Sequence, residues 1–345
     1  MRIIFWEIAA RFFYRTYRYI GSLLVRAVDK IIRVTPDDEY YHEKSQELID
    51  LLDAGQISEP NVRSYPELNF TLPASFKTAL VNRSYQKSVT KPAEWLINDK
   101  LVAAEFAKNL SLKRPAMLQG PVSHDDIQIK PGIVIKPLYG SGTKAVYLLK
   151  EDSRIIEAAS NETLQSVEEL YERLKNYTAT TGYDDWLIEE YVDGASKEHV
   201  RDLKFYCFYG KTGIIHEVKR LPESRHCWWD ASGNEIITGK LENRRFKGEG
   251  FTDDELELAE KVSLKIPAPF IRIDFLKGKY GLFFGEFTPR PGSYHTFNKP
   301  TDTLLGHLYL EAEARLTEDL LNGKSFDAYK QTVDRINLNG KQKYE

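Results

Sequence analysis

The chain has only two cysteines, Cys207 and Cys227, among 345 residues. Two thiols build no disulfide framework, so nothing points to an oxidising compartment, and Cys207, set in an apolar run, reads as core. No window of about 18 apolar residues exists, which excludes a membrane-spanning helix. No uninterrupted apolar stretch is followed by a small-residue cleavage site, so a secretory leader is not expected. Charge of one sign is missing too. The net charge is −3, and the chain as a whole carries no nucleic-acid signature. The seven histidines fall into no metal-ligand spacing. No Ser, His and Asp stand in an assignable triad order, and no cysteine is a convincing nucleophile. Neither a P-loop nor a G-x-G-x-x-G opening a helix occurs, and there is no internal repeat or low-complexity tract.

What is present is an ordinary globular composition, 42% hydrophobic and 29% charged, long enough for two or three domains or subdomains and a sizeable core. Twenty tyrosines and seventeen phenylalanines serve either packing or sugar-stacking surfaces. Residues 1–34 differ from the rest. They hold Arg2, Arg11, Arg15, Arg18, Arg26, Lys30 and Arg33 against Glu7 and Asp29. Apolar residues recur there at helical spacing, from Ile3, Trp6, Ala10 and Phe13 to Tyr17, Ile20, Leu24, Val28 and Ile31. Such a helix suits the interface of an anionic membrane, or else docks on the protein's own body or on a partner subunit.

Downstream, Asp37 and Asp38 start a helix over Glu39 to Ala54, with Gly55 as its stop. Residues 58–73 read as loop. Helices follow at Phe76 to Tyr85 and from Lys91 to about Leu110, with Asn98 or Asp99 capping the later half. A short strand is expected at Ala116 to Leu118. Then Ile133, Val134 and Ile135 run into Lys136, a Gly140-Ser141-Gly142 loop and a second apolar run from Ala145. This is a hairpin with a glycine-rich tip. It is either ordinary turn chemistry or a loop whose N–H groups meet phosphate, with Lys136 as a point charge for the same ligand. Ser166 to Tyr177 reads as a helix and Trp186 to Val192 as a strand carrying Glu189 and Glu190. Asp202 and Lys204 share one face of a strand that turns at Gly210 and returns over Gly213 to Val218, closed by Arg220. Leu221 to Gly250 reads as a long loop or excursion, and Phe251 to Leu264 as a helix with acids at its start.

The second informative stretch is the hairpin Phe270 to Leu276 and Tyr280 to Thr288. Arg272 and Asp274 point to one face, where Glu286 on the partner strand meets them. Two carboxylates on adjacent strands beside an arginine suit Mg²⁺ held with nucleotide phosphates, or else a cross-strand ion network. Either carboxylate is expected to be dispensable for folding. His295, just beyond, is a candidate base or a plain surface histidine.

The order of these pieces resembles the ATP-grasp fold, and more narrowly the TupA-like ATP-grasp proteins of teichuronopeptide and surface-polysaccharide biosynthesis. The resemblance rests on Asn98-Asp99-Lys100, Val134 to Pro137 with Gly140 to Gly142, Ile188 to Tyr191, Asp202 to Gly210, Ile271 to Phe275 and Phe284 to Pro289. It covers roughly residues 95–310. It implies an α+β protein of two subdomains clasping ATP, behind an amphipathic helical segment. The divisions expected are 1–35 for that helix, 36–130 for an N-terminal subdomain, 131–192 for a small subdomain with the glycine-rich lid, 193–330 for a large subdomain with the Mg²⁺/ATP site, and 331–345 for a tail.

By resemblance, Lys100 and Lys136 reach ATP phosphates under the Gly140–Ser141–Gly142 lid. Glu189, Glu190, Tyr191 and Val192 form the hinge that reads adenine and ribose. Lys204 lies near nucleotide or acceptor, oriented by Asp202. Arg272 neutralises the transferring phosphoryl group, Arg290 meets substrate, and Asp274 and Glu286 hold Mg²⁺. Thr288 stands where the family offers a third metal ligand, often Asn.

The implied reaction is ATP-dependent, ADP-forming amide synthesis through an acylphosphate. It would join an amine or amino acid to a uronic-acid carboxylate of a cell-surface glycan. The implied setting is cytoplasmic, at the inner face of the membrane. The resemblance is compatible with a homodimer without fixing the oligomeric state, and nucleic acid is not an expected partner. Alternatives are a ligase for a peptide or small metabolite, a phosphotransferase on the same fold, and a nucleotide-binding scaffold.

Overall fold

The computed structural model describes residues 2–52, 56, 64, 74–140, 142–194, 200–220 and 223–341. The expected stop at Gly55, most of the expected 58–73 loop, and Ser141 of the lid lie outside the described residues. The chain divides into two compact units, one of residues 1–79 with 299–307 and one of residues 80–298 with 308–345.

In the first unit, helix α1 (Arg2–Val34) is followed by α2 (Glu39–Asp50). Asp38 caps α2 by accepting from the N–H groups of Tyr40 and Tyr41, which satisfies donors that have no partner inside the helix. Val25 and Val28 of α1 cluster with Ile49 and Leu52, fully or nearly fully buried. In the same unit Asp302 accepts from the Ser75 hydroxyl at 2.7 Å and from the Lys77 N–H at 2.9 Å.

The second unit holds the site. Helix α3 (Phe76–Val89) leads into it, followed by one turn of helix, α4 (Ala93–Leu96), and by α5 (Lys100–Asn109). Asp99 is the cap that separates α4 from α5. Its Oδ1 accepts from Leu101 and Val102 N–H at 2.9 and 3.1 Å. One face of α5 (Val102, Ala103, Phe106, Ala107) is buried, which is the 3–4 spacing of an amphipathic helix.

Two antiparallel sheets follow. The first contains β1 (Met117–Val122), β2 (Ile133–Pro137), β3 (Tyr147–Leu149), β4 (Ile155–Glu157), β5 (Thr163–Leu164) and β6 (Trp186–Glu190) in the order β1-β6-β2-β3-β4-β5. The expected hairpin is β2–β3, with Ile133 opposite Leu149 and Ile135 opposite Tyr147. Helix α6 (Val167–Thr181), capped by the Ser166 hydroxyl, buries Leu170 and Leu174 with this sheet's core.

The second sheet contains β7 (Arg201–Phe208), β8 (Lys211–Lys219), β9 (Arg225–Asp230), β10 (Ile271–Gly278) and β11 (Gly281–Thr288) in the order β11-β10-β7-β8-β9. Strand β9 corrects the expected excursion at 221–250, since it pairs with β8 from Ile214–Asp230 to Lys219–Arg225. Its sequence, Arg-His-Cys-Trp-Trp-Asp, hides the alternation because buried His226 is polar. The partner that makes its burial tolerable, His216 Nε2 at 3.0 Å from His226 Nδ1, lies on another strand.

Helix α7 (Asp253–Ser263) opens on a capping box between Thr252 and Glu255. With α5 it covers one face of the second sheet, around Phe106, Phe205, Cys207, Ala259, Ile273 and Phe287. Helix α8 (Lys299–Leu321) follows β11, and α9 (Asp327–Lys341) comes last. Residues 331–341, expected as tail, are thus helical. Thr332 is fully buried and Asn109 Nδ2 donates to its hydroxyl at 2.9 Å.

Candidate active site

Between the two sheets lies a cavity of about 710 Å³. Its lower wall follows from register. Asp274 of β10 sits opposite Glu286 of β11 and opposite Lys204 of β7, and Lys204 sits opposite His216 of β8. Because side chains alternate, Arg272, Asp274, Lys204, Asp202 and Glu286 all reach the same face and line the cavity.

This is a charge network with one centre. Asp274 accepts from Arg272 Nε and Nη2, each at 2.6 Å, and is paired with the Lys204 ammonium. Burial pushes the Asp274 carboxyl up, but the opposing charges and hydrogen bonds of Arg272 and Lys204 hold it at about 2. Burial likewise disfavours the Arg272 cation, yet Asp274 keeps it well above the ordinary guanidinium range. Glu286 is held far less tightly: Arg272 Nη2 and the Thr288 hydroxyl both lie 3.4 Å from its Oε1.

The upper wall comes from the first sheet. Lys136, next to last in β2, pairs with Glu189 of β6 at 2.5 Å; Arg114 reaches the other Glu189 oxygen at 3.8 Å. Glu190, Tyr191 and Val192 continue this wall. Lys100, first residue of α5, donates from Nζ to the Pro137 carbonyl at 2.5 Å. Burial, then the nearby Lys136 charge, pushes its ammonium down to about 8. The helix end adds positive character at the same place. Gly142 has φ +72° with open space where a Cβ would be, a backbone that other residues adopt only with strain.

A family model for TupA-like ATP-grasp proteins matches residues 79–310. The chain belongs to the TupA-like ATP-grasp family. Its fold is therefore the α+β ATP-grasp fold, whose nucleotide is ATP. No curated protein matches the sequence.

Solved structures similar to it include D-alanine–D-alanine ligase from Bacillus anthracis, at 15% identity over 65% of this chain and 69% of that one, TM-score 0.40. Another is D-cycloserine synthetase DcsG, at 15% identity over 63% and 71%, TM-score 0.38. A third is the ATP-grasp ligase PsnB complexed with minimal precursor, Mg and ADP, at 12% identity over 75% of each chain, TM-score 0.37.

Of the residues singled out in the sequence, Lys100, Lys136, Gly142, Glu189, Glu190, Tyr191, Val192, Asp202, Lys204, Arg272, Asp274, Glu286 and Arg290 all line this one cavity. Gly140 does not line it. A Cβ there would come within 3.1–3.2 Å of Pro137 and the Tyr177 hydroxyl, so its smallness serves packing of the loop. Ser141 lies outside the described residues. His295 stands in a short turn beyond the cavity lining.

Two cations of the ATP-grasp cavity escaped the sequence reading. Arg220 forms an ion pair with Asp202 that keeps its guanidinium charged, with Asp202 as the main cause. Its signal was present: His216, Val218 and Arg220 alternate onto the face of Asp202 and Lys204. Arg114 precedes β1 in an irregular connection, and no local pattern marks it. Both cysteines are free and buried, and burial pushes the Cys207 thiol far up, consistent with core.

The donor set fits Mg²⁺ in one respect that matters. The ion takes one or two carboxylates and completes its shell with phosphate oxygens and water. Asp274 and Glu286, opposite each other on β10 and β11, supply two hard oxygen donors. Among the described residues no group of three or more His, Cys, Asp and Glu could hold a metal by itself.

Proposed function

We propose that this chain is an ADP-forming carboxylate–amine ligase. The observation that carries the reading is the one cavity lined by Lys100 and Lys136 and by the Arg272–Asp274–Lys204 network, with no nucleophile–base pair assigned among the described residues that line it. Lys100 and Lys136 bind the ATP phosphates. Residues 189–192 take the adenine edge through their backbone, and Glu189 or Glu190 takes the ribose hydroxyls. Asp274 and Glu286 hold Mg²⁺, which neutralises phosphate charge when bound.

The substrate carboxylate attacks the γ-phosphorus, and the bond to the ADP oxygen breaks. Arg272 stabilises charge on the transferring group. The amine nitrogen then bonds to the acyl carbon, the acyl carbon–oxygen bond to phosphate breaks, and the ammonium proton is released. Lys204, oriented by Asp202, and Arg290 position the acid. Such a site works by placement and charge and needs no covalent side chain.

For the substrate class, the reading keeps the acid that the sequence resemblance implies, a uronic-acid carboxylate of a cell-surface polysaccharide, joined to an amino acid or simple amine. The setting is the cytoplasm at the inner face of the membrane. The test is turnover of ATP with Mg²⁺ against uronic acids and oligouronates paired with amino acids and amines, following ADP and free phosphate together. Release of both, dependent on acid and amine, is expected. ADP without phosphate would replace the ligase by a phosphotransferase. Failure to bind ATP would overturn the reading.

A further inference from the structure

We infer that α1 is a contact surface for an anionic lipid bilayer. The inference stands on the first unit alone and is independent of the ligase reading. Residues 11–34 place Arg11, Arg15, Arg18, Arg26 and Arg33 on one stripe, because spacings of 3, 4, 7 and 8 return to the same side of a helix. Asp29 is the one acid among these residues, and it is tied to Arg33 at 2.8 Å.

Beside this basic stripe runs an apolar one. Phe12, Tyr19 and Leu23 follow one row and Phe13 and Ile20 the next. Phe12, Phe13, Tyr19 and Ile20 are each more than half exposed. The side of α1 that is covered is a different one: Val25 and Val28 meet Ile49 and Leu52. So α2 does not account for the aromatic rows.

A large apolar strip flanked by arginines and bearing tyrosines matches a headgroup boundary in three ways. Phe and Ile enter the acyl edge, Tyr sits at headgroup depth, and Arg meets lipid phosphates. No helix of the described residues is long and apolar enough to cross a membrane, so the contact is peripheral. The charge complementarity selects anionic lipid over neutral lipid.

The test is co-sedimentation of the full chain with vesicles of phosphatidylcholine alone or with about one-third phosphatidylglycerol. Binding to the anionic vesicles only, weakened more than about tenfold at about 0.5 M salt, is expected. The variants R11E/R15E/R18E and F12S/F13S/I20S should each lower binding by more than about tenfold. Both change exposed positions, so circular dichroism and ATP-induced thermal shift should match the parent. No binding to anionic vesicles, or parent-like binding by both variants, overturns the inference. A parent dimer that both variants convert to monomer, without vesicle binding, would assign the face to a second copy and also overturn it.

Discussion

Asp274 and Glu286 occupy one register position across β10 and β11, yet their environments differ sharply. Asp274 is almost fully buried and accepts two 2.6 Å bonds from Arg272, whereas the Glu286 side chain is half exposed. The sequence reading treated them as equally dispensable for folding; the structure separates them. Glu286→Gln should lower kcat/KM by about 100-fold or more with an unchanged melting temperature. Asp274→Ala should abolish turnover and also destabilise the protein by about 3 kcal/mol, because it removes the near partner of buried Arg272 and of Lys204 and leaves them only the longer 3.4 Å contacts to Glu286 and Asp202. Thermal melts beside steady-state kinetics check both; equal melting temperatures would refute the distinction.

Lys100 gives a pH signature. Its native ammonium titrates at about 8, below the ordinary lysine value of about 10.4. The unfolded chain thus holds this proton longer than the native one. The penalty of the buried charge is present in full below pH 8, and stability rises as pH climbs from about 8 towards 10. ATP phosphates favour the charged lysine, so binding at pH 8–9 should take up a proton. Calorimetry in buffers of different ionisation enthalpy reads the uptake directly. Its absence, or its persistence in Lys100→Arg, would count against Lys100 as a phosphate ligand.

His226 gives a second one, of the same sign but at lower pH. Burial, then the charge of Arg244, lowers its imidazole to about 4, and burial lowers His216 well below the ordinary value too. The contribution to stability is complete above about pH 6.5 and is lost as pH falls towards 4, since the unfolded chain binds the protons first. His226→Gln should flatten the acid side of the stability profile measured by urea unfolding. A parent-like profile in that variant would remove the histidine pair as the cause.

Near the end of its strand, Lys136 forms a partly exposed pair with Glu189. Such a pair adds little to stability, but a charged hydrogen bond to phosphate is worth about 1.5–3 kcal/mol. Lys136→Ala should therefore raise the KM for ATP about tenfold to 100-fold, with little change in melting temperature.

Phe106 tests how α5 is held in place. It is fully buried and its ring lies 5.6 Å from that of Phe287. Phe106→Ala should cost about 3–5 kcal/mol through lost burial and the cavity left behind. ATP affinity should fall as well, because Lys100 opens the same helix.

The sequence by itself determined the local pieces. Alternation placed Arg272 with Asp274, and Asp202 with Lys204, each pair on one strand face; the turn after Leu276 set β11 beside β10, while a β-bulge between Asp274 and Phe275 brought Glu286 rather than Gly285 opposite Asp274; Asn98 or Asp99 marked where α5 begins. These are short-range consequences of pleat, turn and cap, and they survive any tertiary arrangement. Only the tertiary structure decided which polar groups are affordable inside. It admitted His226 to a buried strand because His216 meets it, drew Arg220 to Asp202, brought Arg114 to Glu189 from an irregular connection, and sealed Asp274 while leaving Glu286 in reach of solvent. Burial of a charge depends on partners supplied by other strands, and no window of sequence contains them.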